Sequence, residues 1–186
     1  MDADLIRSAQ QGDQRAFASI VEAVDDRFFG VARRILHDVE SAEDATQQAL
    51  LNMWRFLPDL RDPSRFEAWS YQLLVKACYS ESRRRRRWRL DVGLGQADRP
   101  ATSDDVSTVI VRDQLDRGLE RISLDHRAVL VLRYDHDLPL ERVAEVLGVP
   151  FGTVSSRLGR AHEALRGVLE ADARPSVRPS PSEATR

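Results

Sequence analysis

The tightest constraint on this chain lies in residues 140–166, where apolar residues recur at helical spacing on both sides of one glycine. From Leu140 to Leu147, Val143 and Leu147 fall on one helix face, and Ala144 is small where a second helix has to approach closely. Gly148 follows, a residue that reaches positive φ without a Cβ clash. Val149, Val154 and Leu158 then return apolar side chains to the same small core, while Gly152 and Thr153 open the second helix with Thr153 as its cap. Two helices crossed about a tight glycine turn form a helix-turn-helix, whose second helix lies in the major groove of DNA. Ser155, Ser156, Arg157 and Arg160 stay outside the core. Short hydroxyls there reach phosphates and base edges, and arginines reach phosphates or guanine.

The helical period extends over most of the chain. Leu5, Ile6 and Ala9, then Ala16, Phe17, Ile20, Val21 and Val24, keep it up through Asp4–Val24, with Gly12-Asp13 interrupting it and capping a second helix that runs to about Leu36. Ser41 followed by Asp44 resembles the start of a third helix, with Ala45, Ala49, Leu50, Met53, Trp54 and Leu57 on one side and Pro58 as its stop. Residues 58–64 form a turn-rich loop. A fourth helix runs from about Arg65 through Phe66, Trp69, Tyr71, Leu73 and Leu74 into the arginine run Arg83–Arg87. Composition changes after Leu90: residues 91–105 carry Gly, Pro, Ser, Thr and Asp with no apolar period, which reads as a flexible linker. Helical spacing resumes at Val106 and persists to Leu169, and the Pro/Ser/Arg-rich end from Ala173 to Arg186 reads as a disordered tail. The expectation is an all-α chain: a helical domain over 1–90, a linker over 91–109, a helix-turn-helix domain over 110–170 and a tail over 171–186.

Charge separates the partners of these two domains. The formal net charge is only −2, yet residues 1–60 hold 11 acidic and 6 basic side chains, and residues 61–90 hold 3 acidic and 9 basic. One face is therefore acidic and another basic, as two different partners require. The run Arg83–Arg87 with Arg89 closes a helix that carries Trp69, Tyr71, Lys76 and Tyr79 upstream. Cations beside aromatics hold a phosphate backbone while bases stack. Phe66 and Trp69 are read as core.

Other classes have less support. The four histidines (His37, His126, His136, His162) are scattered, with no nucleophile–base or metal-ligand spacing, so neither an enzyme nor a cofactor is expected. His126 with Asp135, His136 and Asp137 comes nearest to a cluster, and reads as a solvated turn before Pro139. Cys78, the single cysteine, sits in an apolar run and reads as a small buried side chain. No stretch approaches the roughly 20 apolar residues of a membrane span. The opening MDADLIRSAQQGD is acidic and polar rather than basic and apolar, so a cytoplasmic protein is expected.

The stretch Ser41 to Leu50, then Trp54-Arg55, then Phe66 to Tyr71 and the arginines, resembles region 2 of the extracytoplasmic-function (ECF) sigma factors. Leu138-Pro139-Leu140, Gly148 to Leu158 and Ala164-Leu165-Arg166 resemble their region 4, in the family's order with a linker between. The resemblance implies a bacterial initiation subunit that binds core RNA polymerase at its clamp helices and flap, directs it to promoter DNA, and is held by an anti-sigma factor. It further implies that Asp44, Gln47, Gln48, Leu51, Asn52 and Trp54 dock on the clamp helices, with core the competing reading for Trp54. The loop with Arg61, Asp62, Ser64 and Arg65 would hold a base flipped from the −10 element. Lys76, Ser80, Arg83, Arg84 and Arg87 on the following helix would contact that element as it melts. Arg142, Pro150, Gly152, Thr153, Ser155, Ser156, Arg157 and Arg160 would hold the −35 element. The sequence departs from the family at Gln48, where an acid is usual, at Ser155, where Lys is common, and at Gly159, where a basic or polar residue is usual. The rival from another class is a stand-alone helix-turn-helix regulator that binds an operator by itself. The basic helix end and the linker favour the sigma reading, because two separated promoter elements need two grips.

Overall fold

The computed structural model describes residues 1–91 and 108–173, and among these all regular structure is helical. Three helices arise where the sequence places caps. Helix α1 (Ala3–Gln10) starts on Asp2, whose carboxylate accepts from the Asp4 amide. Gly12, at φ 92°, turns the chain, and Asp13 caps α2 (Gln14–Leu36) by accepting from the Arg15 and Ala16 amides. Helix α2 ends on His37, which takes the left-handed conformation at φ 52°. Asp38 then caps α3 (Val39–Phe56) from the Ser41 amide. Helix α3 thus begins before the expected Ser41, which is already inside its first turn; both residues can cap, and the left-handed turn at His37 brings Asp38 to the helix start.

Pro58 stops α3 as expected, and two single 3₁₀ turns (Leu57–Asp59 and Pro63–Arg65) lead into α4 (Phe66–Asp91). The C-terminal half holds α5 (Thr108–Arg121), α6 (Leu124–Leu130), a π-helical turn at Val131–Asp135, α7 (Leu140–Leu147) and α8 (Phe151–Ala173). The expected linker and tail lie mostly outside the described residues; Asp91 closes α4, Thr108 and Val109 belong to α5, and residues 171–173 belong to α8.

Helices α2, α3 and α4 pack around Phe28, Met53, Leu74 and Cys78, all fully buried. Burial pushes the Cys78 thiol up to about 12, so it packs as the small apolar side chain the sequence suggested. In the other half, Val129, Leu132, Val143 and Val154 are buried where α6, α7 and α8 meet. The apolar cluster does not stop at the boundary between the halves: α7 packs on α4, and α6 packs on α2.

Candidate polymerase and nucleic-acid interfaces

On α3, Gln47, Gln48 and Leu51 are exposed, with Asp44 and Asn52 half-buried beside them. These residues recur at three- and four-residue spacing, so one face carries them all. The Gln48 amide donates to the Asn52 side-chain oxygen at 3.1 Å, which sets an amide rung across that face. Trp54 is 45% exposed, with its ring edge-on to Phe17 at 4.7 Å, and Val39 and Phe56 are also exposed. Apolar side chains toward both ends of α3 are thus exposed as well. Trp54 is therefore a surface residue with one edge anchored, not a core one.

The loop between α3 and α4 is held from two sides. The Gln10 side chain of α1 donates to the carbonyls of Leu57 (3.0 Å) and Leu60 (2.7 Å). Asp62 accepts from the Ser64 amide (2.9 Å) and hydroxyl (2.7 Å), and these bonds with nearby Arg65 hold its carboxyl below the usual carboxylate range. Arg61, Ser64 and Arg65 stay exposed.

The arginine run is divided by helical geometry, because successive residues point about 100° apart. Lys76, Ser80, Arg83 and Arg87 are spaced four, three and four apart and form one exposed stripe. Arg84 and Arg85 turn the other way, toward α3. Arg84 pairs with Glu81 (2.7 Å) and with Asp44, and Arg85 pairs with Asp38. The stripe and the Arg84 pair thus separate residues that the sequence grouped together.

In the helix-turn-helix, Gly148 takes φ 65° and closes α7, as its position required. Helix α8 begins at Phe151, so Thr153 lies within the first turn rather than capping it; the Thr153 and Val154 amides bond the Pro150 carbonyl at 2.9 and 3.2 Å. The outer face of α8 carries Gly152, Ser155, Ser156, Gly159 and Arg160. The Arg160 guanidinium folds back onto the Ser156 carbonyl at 3.3 Å. Arg157 lies off this face: its side chain is 18% exposed and sits 3.7 Å from Asp125 of α6. Arg142 pairs with Glu145 at 2.8 Å, and Thr153 is half-buried. Phe151, 49% exposed at the start of α8, falls outside the apolar spacing of the motif, so periodicity gives no signal for it.

Polar contacts tie the halves together, one of them at Arg65 of the candidate −10 loop. Tyr79 of α4 donates to Asp125 at 2.5 Å, and burial pushes its phenol well above the usual range. Gln72 of α4 donates to the Glu145 carbonyl at 3.4 Å, while the Glu145 carboxylate lies 3.5 Å from Arg65. Arg34 pairs with Asp135 at 2.7 Å, and His136 meets the Tyr71 hydroxyl at 3.4 Å. The Asp135–Asp137 turn, expected to be solvated, is therefore part of this junction, because the fold lays it against α2 and α4. Among the described residues, no group of His, Cys, Asp and Glu could hold a metal ion, and no helix is long and apolar enough to cross a membrane.

Comparison with known proteins places both halves. Residues 20–89 match Sigma-70 region 2, and residues 118–167 match Sigma-70 region 4. The RNA polymerase sigma-H factor of Pseudomonas aeruginosa is 30% identical over 181 residues, covering 91% of this chain and 94% of that one. The chain belongs to the sigma-70 family, in its ECF branch. The ECF sigma factor SigL of Mycobacterium tuberculosis is 32% identical over 167 residues, covering 86% and 94% of the two chains. Among solved structures, CnrH in complex with the cytosolic domain of CnrY superposes with a TM-score of 0.67 at 27% identity, covering 92% of this sigma factor and 100% of that chain. The sigma factor RpoE of Bartonella quintana, bound to the anti-sigma factor NepR, superposes with a TM-score of 0.66 at 25% identity, covering 84% and 98%. A sigma factor directs polymerase and catalyses no reaction of its own.

Proposed function

We propose that this alternative sigma factor docks on core RNA polymerase through Asp44, Gln47, Gln48, Leu51, Asn52 and Trp54 of α3 and carries it to promoters with two DNA grips. Residues 1–90 act as the first unit and 110–170 as the second. The Arg61–Arg65 loop captures a base unstacked from the −10 element, while Lys76, Ser80, Arg83 and Arg87 hold the melted strand. Unstacking costs a few kcal/mol per base, so capture and charge are both needed. Helix α8 enters the −35 major groove with Gly152, Ser155, Ser156 and Arg160, flanked by Arg142, Pro150, Thr153 and Arg157. Arg84 joins the −10 contacts once Asp44 is taken by polymerase. The protein works in the cytoplasm, on the nucleoid while polymerase holds it, and an anti-sigma factor like the partner of the Bartonella protein would seat on it.

One observation carries this reading: the two sigma-70 regions follow in order along a chain that matches the Pseudomonas aeruginosa sigma-H factor over 94% of that protein's length. In vitro transcription with purified core polymerase on genomic fragments tests it. Start-site-specific transcripts that need both proteins are expected. Absence of such transcripts, with operator-like binding by the protein alone, would sink it. Within the same assay, Arg160→Ala should weaken promoter binding, whereas Arg83→Ala should mainly slow open-complex formation.

A further inference from the structure

Five consecutive arginines on a helix cannot all face one strand of DNA, and two of these five face protein. Arg85 donates to the Asp38 carboxylate and to the Ser41 hydroxyl at 2.8 Å. Asp38 also accepts from the Ser41 amide (3.0 Å) and hydroxyl (2.7 Å), and its side chain is only 6% exposed. A carboxylate this buried needs its cation, so Arg85 is not free to leave for a phosphate. The neighbouring Arg84–Asp44 pair is exposed on both sides and carries little weight by comparison.

The position of this buried pair matters more than its strength. Beyond Tyr79, which packs partly buried against the core, α4 buries none of its side chains fully through Asp91, so among the described residues its outer end rests on polar contacts. That end carries Ser80, Arg83 and Arg87 of the cationic stripe. The pair fastens it to the first turn of α3, the helix whose exposed face is assigned to polymerase. Resting on the promoter-melting role given to α4 above, we infer that Asp38 and Arg85 are positioning residues for promoter melting. They hold the stripe at a fixed angle to the docked helix, and neither touches DNA.

The test uses holoenzyme reconstituted from core polymerase and the full chain, with 2-aminopurine in the −10 element reporting melting. Asp38→Asn is the first variant: Asn still caps a helix, so the start of α3 survives while the charge is lost. Arg85→Gln, Arg85→Lys and the Asp38→Asn/Arg85→Gln double variant complete the set. Asp38→Asn and Arg85→Gln should each slow open-complex formation by about ten- to a hundredfold, as misplacement by an ångström does elsewhere. The double variant should be no slower than the slower single one, because both break one link. Arg85→Lys should fall between wild type and Arg85→Gln, since it keeps charge without the fork. Affinity for core polymerase should stay within about twofold, well under the tenfold that marks lost contact energy.

Salt dependence separates positioning from direct contact. Losing a real phosphate contact, as in Arg83→Ala, should lower the slope of log K against log salt by about 0.7–0.9, whereas Arg85→Gln should leave it unchanged. A lowered slope for Arg85→Gln, or faster melting by Asp38→Asn, would make Arg85 a DNA contact restrained by Asp38 and overturn the inference. Lower thermal stability with wild-type melting rates, measured well below the unfolding temperature, would reduce the pair to a merely structural one and overturn it equally. If wild-type holoenzyme melts no promoter, the sigma reading falls first and the pin with it.

Discussion

His37 shows how one residue can join two roles. It ends α2 in a left-handed turn, and its ring is buried at the junction of the halves, facing Arg33 and Arg34 of α2, Glu120 of α5 and Arg127 of α6. Burial first, then Arg127, Arg34 and Arg33, lowers its pKa to about 4. At neutral pH the 3.8 Å approach to Glu120 is therefore made by a neutral ring, and is not an ion pair. Because the folded pKa lies below the unfolded value of 6.5, the unfolded chain binds the proton first as pH falls. Stability is full above about pH 6.5 and drains away between 6.5 and 4, by about 3 kcal/mol at most. Thermal melts at pH 7 and pH 5 should differ for the wild type and much less for His37→Asn, which suits the left-handed turn and does not titrate. Equal pH sensitivity in both proteins would assign the acid lability elsewhere. A second residue-scale expectation concerns Gly159, where an added Cβ would meet nothing within 4 Å. Gly159→Lys should strengthen the holoenzyme's grip on −35 duplex and stabilise α8 by about 1 kcal/mol, with its salt slope steeper by about 0.9. Anisotropy titrations at several salt concentrations read both changes.

At the scale of elements, local signals place the helices and leave their joints to tertiary structure. Asp13 and Pro58 bound α2 and α3 where the sequence said they should, and Gly148 takes the positive φ its turn demanded. The earlier start of α3 has a physical cause: Asp38 and Ser41 are both good caps, the left-handed turn at His37 brings Asp38 to the helix start, and Arg85, 44 residues from Ser41, bonds both. Similarly, no local rule distinguishes Arg83 from Arg84 or Arg85, since the difference is which side of α4 faces α3. The candidate −10 loop was legible as a turn, but its clamp by Gln10 spans 47 residues to Leu57 and leaves no periodic trace. That clamp makes a prediction at this scale. Gln10→Ala should free the Leu57 and Leu60 carbonyls, loosen the loop and slow base capture, leaving −35 binding intact. Melting kinetics with 2-aminopurine at the flipped position would show it; an unchanged rate would mean that Asp62 and Ser64 hold the loop by themselves.

For the whole molecule, the sequence suggested two grips on a tether, and the fold holds them together. Glu145 of α7 lies beside Arg65 and accepts from Gln72, and Asp125 of α6 engages both Tyr79 of α4 and Arg157 of α8. These are the residues, or neighbours of the residues, assigned to the two promoter elements. With Gln72 and Tyr79 of α4 bonded to the C-terminal half beside the proposed −10 stripe, seating both grips on separated elements is expected to part the halves. The polar part of the junction is shallow, since pairs such as Arg34–Asp135 are exposed and each contributes up to about 1 kcal/mol. Polymerase and promoter contacts can therefore outweigh it. Dyes on Glu22→Cys and Glu163→Cys, both exposed positions, would follow the separation while buried Cys78 stays unlabelled. Energy transfer should be high in the free chain and should fall when core polymerase and promoter are added. Asp125→Asn with Asp135→Asn should lower it in the free chain already, and raise affinity for single-stranded −10 oligonucleotide by about tenfold if roughly 1.4 kcal/mol of closure is lost. Transfer that stays high in the promoter complex would mean the halves remain joined while both elements are read, and that the contacts to Asp125 and Glu145 belong to the working state.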